Sequence, residues 1–313
     1  MGGSERTLLA EQNNGNDQGK GNTSLVIALV WFAVFCTSTA SIFTRYSTSP
    51  SLVLAAYRKT FVTLMMIPVV LGNPRYRREL RRISKRTGLL CALSGFFLAI
   101  HFWTYFLSVH NTTIAASQVL VGLEVLFVAL FMGMTGQETF SRWSRTGILV
   151  ALGGSVLVAY TQGELNSGGT LFGNLIGIFS GLMLACYSII GTNVRSEGLS
   201  NNVYSLLVYG SSAVILDLMV LVSPYHFTGY GSINYLMALL MAVFNSLMGH
   251  SIFNWSFKYI SPTLVAMIKI FMPVFASIWG LLLFKEIPAW NQLIGGAVVI
   301  IGIIMYIRNK PES

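Results

Sequence analysis

Long apolar stretches alternate with short polar links along nearly the whole chain. Ten of these stretches approach about twenty residues, the length at which an α-helix crosses roughly 30 Å of hydrocarbon. A helix also satisfies its backbone hydrogen bonds internally, as a lipid environment requires. The pattern predicts spanning helices at 24–44, 50–71, 88–109, 113–133, 144–161, 170–191, 201–222, 233–254, 261–284 and 289–307.

The two ends of the chain lack this pattern. Residues 1–23 are rich in Asn, Gly and Gln and show no apolar periodicity, so we expect a disordered tail there and a second short tail at 308–313. Hydrophobic residues make up 54% of the chain and charged residues 10%. A soluble core could not bury so much apolar surface, which excludes an ordinary soluble domain.

The second half of the chain repeats the first at an offset of 148 residues. The repeats are predicted to be 24–161 and 170–307, each with five spans. Copies with an odd number of spans must face in opposite directions. The predicted fold is an all-α integral membrane protein with ten transmembrane helices in two inverted five-helix repeats. Identical pairs at this offset are Ser108 and Ser256, Phe127 and Phe275, Glu138 and Glu286, Gly147 and Gly295, Val150 and Val298, and Gly154 and Gly302.

Lysine and arginine are distributed unevenly between the predicted links. With the amino terminus inside, fifteen of the 20 fall on inner segments, whereas only Arg45 and Lys285 fall on outer ones. Short basic loops resist translocation, so both termini are predicted to be cytoplasmic in a multi-pass plasma-membrane protein. This bias explains most of the net charge of +9, and no nucleic-acid partner is expected. The basic segment 75–86 is expected to lie on anionic membrane lipids.

Glu124 and Lys269 are charged residues deep inside predicted spans, where a charge is costly without a partner or a wet cavity. Glu124 lies about 16 Å from the outer start of its span and Lys269 about 12 Å from the inner start of its own, so both approach the midplane. An approximate two-fold axis would place them on opposite sides of one cavity. Two interpretations stay open: a substrate-binding or proton-coupling site, or a structural ion pair.

Further polar side chains are spaced to share helix faces in the third and eighth spans. His101 and Tyr105 are separated by one helical turn, as are His250 and Asn254. Each histidine is either a structural packing residue or a group that transfers protons or donates a hydrogen bond to a substrate. The presence of one in each repeat makes both of them candidate site residues.

Arg58 and Lys59 are neighbours inside the second span. Adjacent residues of a helix point in different directions. We therefore expect one of them to snorkel outward, while Tyr57 and Arg58 face the cavity.

Several motifs resemble those of the EamA-type permeases of the drug/metabolite transporter superfamily, over nearly all of 24–307. The resemblance implies ten helices, inverted repeats of five, both termini inside and a substrate path between the repeats, with the fifth and tenth helices toward the periphery. The motifs are Ala55-Ala56-Tyr57-Arg58, Phe97-Leu98-Ala99-Ile100-His101-Phe102, Gly249-His250, Asn254-Trp255 and the span-ending acids Glu138 and Glu286.

One motif of that family is split in this chain. The family often carries Glu-Pro in its fourth and ninth helices, but here Glu124 is followed by Val125, and Pro273 follows Met272. One acid is therefore left where the pattern implies two. Pro273 removes a backbone hydrogen bond and is expected to bend its helix.

Glycines recur in the fifth and tenth spans and permit close packing of these outer helices. This leaves a homodimer open. The glycines are Gly147, Gly153, Gly154, Gly295, Gly296 and Gly302.

The sequence favours a secondary transporter that exports a small polar or amphipathic metabolite by alternating access. No Gly-x-x-x-x-Gly-Lys-Ser/Thr segment is present, so energy is expected from an ion or substrate gradient, with no cofactor. No metal motif is found, because the three cysteines are widely separated. The alternatives are a passive channel or lipid-handling protein and, more remotely, an intramembrane enzyme. The His-Glu-x-x-His spacing of a catalytic site is absent, so no catalytic residue is expected.

Overall fold

The computed structural model describes residues 23–135, 141–159, 169–196, 198–256, 259–260, 265, 268–269 and 271–308. Every regular element within these ranges is a helix, which confirms the all-α class. We number the helices α1 Thr23–Tyr46, α2 Ser51–Gly72, α3 Pro74–Arg81, α4 Lys85–Asn111, α5 Ile114–Met134, α6 Arg142–Ala159, α7 Gly169–Ser196, α8 Asn201–Val222, α9 from Ser232–Leu240 through Ser251–Ser256, α10 Met272–Phe284 and α11 Trp290–Arg308.

Seven helices of the described ranges are long and apolar enough to cross a membrane: α1, α2, α4, α5, α7, α8 and α9. Two shorter apolar helices follow, Met272–Phe284 and Trp290–Tyr306. The prediction of ten spans therefore stays a prediction. Much of the first half of the ninth predicted span, and nearly all of both predicted tails, lie outside the described residues.

Helix starts coincide with side chains that can cap free backbone N–H groups. The hydroxyl of Ser84 accepts from the N–H of Thr87 at 3.0 Å, and that of Thr113 accepts from Ala116 at 3.2 Å. Asn73 caps α3 in the same way, just before a proline at the first helical position. Such caps satisfy donors that have no partner inside the helix. Each of these helices therefore starts directly after the residue that caps it.

Three of the helices are interrupted. α1 has a turn at Thr39, whose hydroxyl donates to the carbonyl of Cys36 at 2.6 Å. α5 is broken at residues 122–123, so that Glu124 begins its second half. α9 is π-helical over Met241–His250. Breaks and π-turns release backbone groups or redirect side chains, and they occur frequently at functional sites.

The main contacts between helices join the two halves of the chain. Equivalent helices of the repeats pack on each other: α2 on α8, α5 on α10 and α6 on α11, and α4 also packs on α7. This is the pairing expected of two copies related by an approximate two-fold axis. Large apolar side chains such as Leu149 and Val156 stay 69% exposed on the outside of the bundle, as lipid contact requires.

The tightest of these contacts, between α6 and α11, is built on glycine. A Cβ at Gly147 would lie 2.6 Å from the carbonyl oxygen of Gly302, and one at Gly154 would lie 2.8 Å from that of Gly295. These four residues bring the two backbones together within one chain. Gly153 has no atom within 4 Å of such a Cβ, so it takes no part in the contact.

The short basic helix α3 lies against the bundle. Tyr76, Leu80 and Ile83, which the spacing places on one face, pack against the main core cluster. The carboxylate of Glu79 accepts a hydrogen bond from the backbone N–H of Ser200, at the start of α8. The apolar face of this segment is thus directed toward the protein.

Candidate functional site

The structure brings Glu124 and Lys269 together. The ammonium Nζ of Lys269 lies 3.8 Å from Oε2 of Glu124, and their side chains are 35% and 14% exposed. The hydroxyl of Ser188 on α7 donates to Oε1 of Glu124 at 2.6 Å. The carboxylate therefore has one partner for each oxygen, and Lys269 remains reachable from the surface of the protein.

Local backbone geometry places both charges. Glu124 is the first residue after the break in α5 and lies in the first turn of its second half, where the helix dipole favours a negative charge. Lys269 precedes α10, which starts at Met272 with Pro273 in its first turn. Pro273 thus lies where a helix tolerates proline, at its start. The ion pair joins the point where α5 is interrupted to the point where α10 begins.

His101 is held by a neighbouring helix. Its Nδ1 lies 3.0 Å from the carbonyl oxygen of Ser180 and 2.9 Å from the Ser180 hydroxyl, which donates in turn to the carbonyl of His101 at 3.0 Å. A carbonyl only accepts, so Nδ1 is assigned the hydrogen. His101 is thereby fixed between α4 and α7. Its ring is also stacked on Tyr105 at 6.0 Å, and the Tyr105 hydroxyl accepts from the Gln118 amide at 2.7 Å.

His250 ends the π-helical segment of α9 and is half-buried. It meets the rings of Phe102 and Phe253 edge to face, each at 6.3 Å between centroids. Phe102 also contacts His101 at 4.7 Å, so one phenylalanine touches both histidines. The side chain of Asn254 lies outside the described part of the chain.

Arg58 and Lys59 are both buried, at 1% exposure each, so the expectation that one of them snorkels outward is wrong. The Arg58 guanidinium carbon and the Lys59 ammonium each lie 4.0 Å from the centroid of the Phe102 ring. Lys59 also lies 4.4 Å from the ring of Tyr209. Flexible side chains can turn two neighbouring helix positions toward one ring, which a strict rule of helix faces overlooks.

Tyr57 does not share this environment with Arg58. Its hydroxyl donates to the carbonyl of Phe227, and its ring packs on Tyr235 at 4.8 Å. With Thr60 and Asp217 it lines a cavity of about 400 Å³. A second cavity, of about 440 Å³, lies beside residues 47–52 and His110. Neither cavity is lined by Glu124 or Lys269.

A second ion pair joins Arg45, near the end of α1, to Glu286, which lies just after the end of α10. Arg45 Nη2 lies 2.8 Å from Oε1 of Glu286 and donates to the carbonyl of Thr112 at 2.7 Å. Oε2 of Glu286 accepts from the N–H of Ile114 at 3.0 Å. Glu286 thus connects both repeats and caps the start of α5, a role that the sequence did not indicate.

Sequence reasoning also missed Ser180, Ser188 and Ser246. Ser246 Oγ lies 3.4 Å from Nε and Nη2 of Arg58. The available signal was a small polar residue inside an apolar span, which often bonds a neighbouring helix. No group of three or more His, Cys, Asp and Glu that could hold a metal occurs among the described residues.

The model of the EamA-like transporter family matches residues 24–160 and 171–308. Two proteins of Archaeoglobus fulgidus, each named an uncharacterized transporter, are similar to the chain. One is 24% identical over 80% of this chain and 86% of its own length, and the other is 23% identical over 89% and 94%. A crystal structure with a TM-score of 0.62 and 17% identity covers 90% of this chain and 96% of its own, and therefore shares the fold.

Proposed function

Because the chain belongs to the EamA-like transporter family, we propose that it is a secondary transporter that exports a small polar or amphipathic metabolite by alternating access between its repeats. The family and the transporter-named relatives indicate a transporter rather than an enzyme. The family and the apolar helices make it a multi-pass membrane protein. Direction, mechanism and substrate class are our proposals.

We place ten spans in the plasma membrane, with both termini in the cytoplasm. The excess of Lys and Arg on the inner links supports this orientation. The packing of α2 on α8, α5 on α10 and α6 on α11 supports inverted repeats related by an axis in the membrane plane. In such an arrangement the substrate meets both repeats near the midplane.

The observation that carries the proposal is the ion pair between Glu124 and Lys269, which come from different repeats. Both residues lie at helix breaks or starts, where one half of the molecule can move against the other. A carboxylate with an ammonium at 3.8 Å can exchange that partner for a proton. A change of partner would bias one conformation over the other, which is the requirement for coupled transport.

Counterflow in proteoliposomes tests this function. Vesicles that contain the purified protein are loaded with single metabolites from a library, and uptake of the same labelled metabolite is followed. We expect saturable uptake that is accelerated by substrate on the opposite side, and a much lower exchange rate for Glu124→Gln. Vesicles without protein provide the background. Flux that neither saturates nor responds to substrate on the far side would instead identify a passive channel.

A further inference from the structure

Arg58 and Lys59 form a buried cationic cluster, distinct from the ion pair of Lys269. Both side chains are 1% exposed. Their charged groups approach the ring of Phe102 at 4.0 Å each, and Arg58 also faces the ring of Phe106 at 5.8 Å. We refer to Arg58, Lys59 and these rings as the Arg58–Lys59 cluster.

The cluster has no carboxylate partner in the described part of the chain, where the ion pairs are Arg45 with Glu286 and Lys269 with Glu124. The carboxylate of Asp217 accepts instead from the Thr60 hydroxyl, at 3.1 and 3.3 Å. Buried cations in membrane proteins normally face an opposite charge or a wet cavity, because desolvating an unmatched charge is costly.

The contacts that the cluster does make compensate its charge only in part. The Ser246 hydroxyl lies 3.4 Å from two nitrogens of Arg58, at the long limit of a hydrogen bond. Nη1 of Arg58 is buried and has no hydrogen-bond partner. Aromatic faces attract cations but provide no oxygen acceptor. An unused guanidinium donor in a fixed fork is the geometry that carboxylates and phosphates fit in bidentate fashion.

We propose that the Arg58–Lys59 cluster binds the carboxylate or phosphate of a transported organic anion, whose apolar part packs on Phe102 and Phe106. This inference rests on the proposed transport function and specifies its substrate class. Lys269 is paired with Glu124, whereas Arg58 and Lys59 have no carboxylate partner among the described residues, so the unmatched charge favours an anion over a neutral or cationic substrate.

The cluster is continuous with the ion pair. Phe102 contacts His250 at 6.3 Å, His250 contacts Phe253 at 6.3 Å, and the ring of Phe253 lies 5.6 Å from Nζ of Lys269. A conformational change that displaces the rings beside Arg58 and Lys59 therefore also displaces the groups that pack against Lys269. The buried cluster becomes accessible when the repeats separate, as alternating access requires.

Three small probes of similar shape test the charge preference: benzoate, benzamide and benzylamine. The purified full-length protein is unfolded by heat in detergent in the presence of each probe. We expect benzoate to raise the unfolding midpoint in a saturable manner, and benzamide and benzylamine to leave it unchanged. Stabilisation by benzamide equal to that by benzoate would overturn the proposal, because the amide carries no charge.

Variants assign the effect to the cluster. Arg58→Gln and Lys59→Met should weaken benzoate binding by roughly ten- to a hundredfold, the range for losing a charge-assisted hydrogen bond. Arg58→Lys keeps the charge but loses the fork, so it should weaken binding as well. Arg145→Gln removes one exposed cation on α6 and should bind benzoate like the wild type. Equal weakening in this control would overturn the assignment.

Stability without ligand separates binding from a structural role. If the charges await an anion, Arg58→Gln and Lys59→Met should be at least as stable as the wild type without benzoate, because an unmatched buried charge is removed. Loss of stability in both, together with no response of the wild type to benzoate, would make the cluster structural. Lys59→Met keeps this test usable if Arg58→Gln does not fold.

A lipid headgroup phosphate offers the same chemistry as a soluble anion. The benzoate titration is therefore repeated in phosphatidylcholine vesicles with and without phosphatidylglycerol. A soluble ligand predicts an unchanged benzoate affinity, whereas competition by phosphatidylglycerol would identify the headgroup as the occupant and refute our assignment. Saturable counterflow of only neutral or cationic metabolites would refute the anion site but leave the transport function standing. Channel-like flux with intact benzoate binding would do the reverse.

Discussion

Neutralising either partner of the Glu124–Lys269 pair is expected to impair both folding stability and transport, whereas neutralising both should restore stability. Glu124→Gln leaves the ammonium of Lys269 without its partner at 3.8 Å, and Lys269→Met leaves the carboxylate with Ser188 alone. Gln keeps an acceptor for the Ser188 hydroxyl, so the change removes mainly the charge. The two single variants and the double variant form a closed cycle.

The size of the coupling follows from the geometry. Two unit charges at 3.8 Å attract by roughly 4 kcal/mol at an effective dielectric constant of about 20. The Lys269 side chain is 35% exposed, so solvent screens part of this attraction. The pair is therefore intermediate between an exposed pair and a fully buried one, and we expect a coupling free energy of roughly 1–2 kcal/mol.

The assay combines equilibrium unfolding of the purified variants in detergent with counterflow in proteoliposomes. A coupling or substrate site predicts a double variant that is stable but exchanges poorly or loses its pH dependence. A structural clasp predicts a double variant that still transports. Purely additive effects on stability and transport would refute the reasoning, because contacting charges must show an interaction free energy.

Three further predictions follow from the packing and the charge distribution. Gly147→Leu should reduce the yield of folded protein by overpacking the α6–α11 contact, at a cost of about 1–3 kcal/mol or more. Gly153→Leu should fold normally, because its Cβ would point into open space. Equal yields of the two variants would contradict the assignment of Gly147 to this contact. Ser84→Cys, without the native cysteines, should resist an impermeant thiol reagent in intact cells, and rapid labelling would invert the topology. Arg45→Gln and Glu286→Gln should each lower the unfolding midpoint, with a combined effect smaller than their sum in a double-mutant cycle; additive shifts would exclude a direct contribution of the 2.8 Å pair.

Helix positions and the approach of Glu124 to Lys269 could be anticipated because both depend on simple geometry. Span length follows from the thickness of the hydrocarbon, and depth within a span follows from the rise per residue. The internal repeat then relates two helices by symmetry. The contact at 3.8 Å agrees with that argument, although its role stays a prediction.

The environment of Arg58 and Lys59 could not be anticipated in the same way. A helix-face argument assigns each side chain only the direction in which it leaves the helix axis. It therefore predicted that one of the two residues snorkels outward. Phe102, on α4, instead draws both cations to one ring. The ring that the two cations can reach depends on how α4 is rotated about its axis relative to α2. When a helix is hydrophobic on all sides, apolar periodicity does not indicate this rotation.

Hydrophobic length, internal identity and loop charge are local or additive properties, so the residues alone establish that this chain is helical, repeated and bound to a membrane. Which polar groups contact each other is seen only in the packed helices. Lys269 pairs with the carboxylate of Glu124, whereas Arg58 packs on the ring of Phe102 and lies at the long limit of a hydrogen bond from the Ser246 hydroxyl. Glu286 connects the two repeats. Such contacts depend on the mutual rotation and shift of several packed helices at once. Those are set by close packing across the whole bundle, and no single segment encodes them.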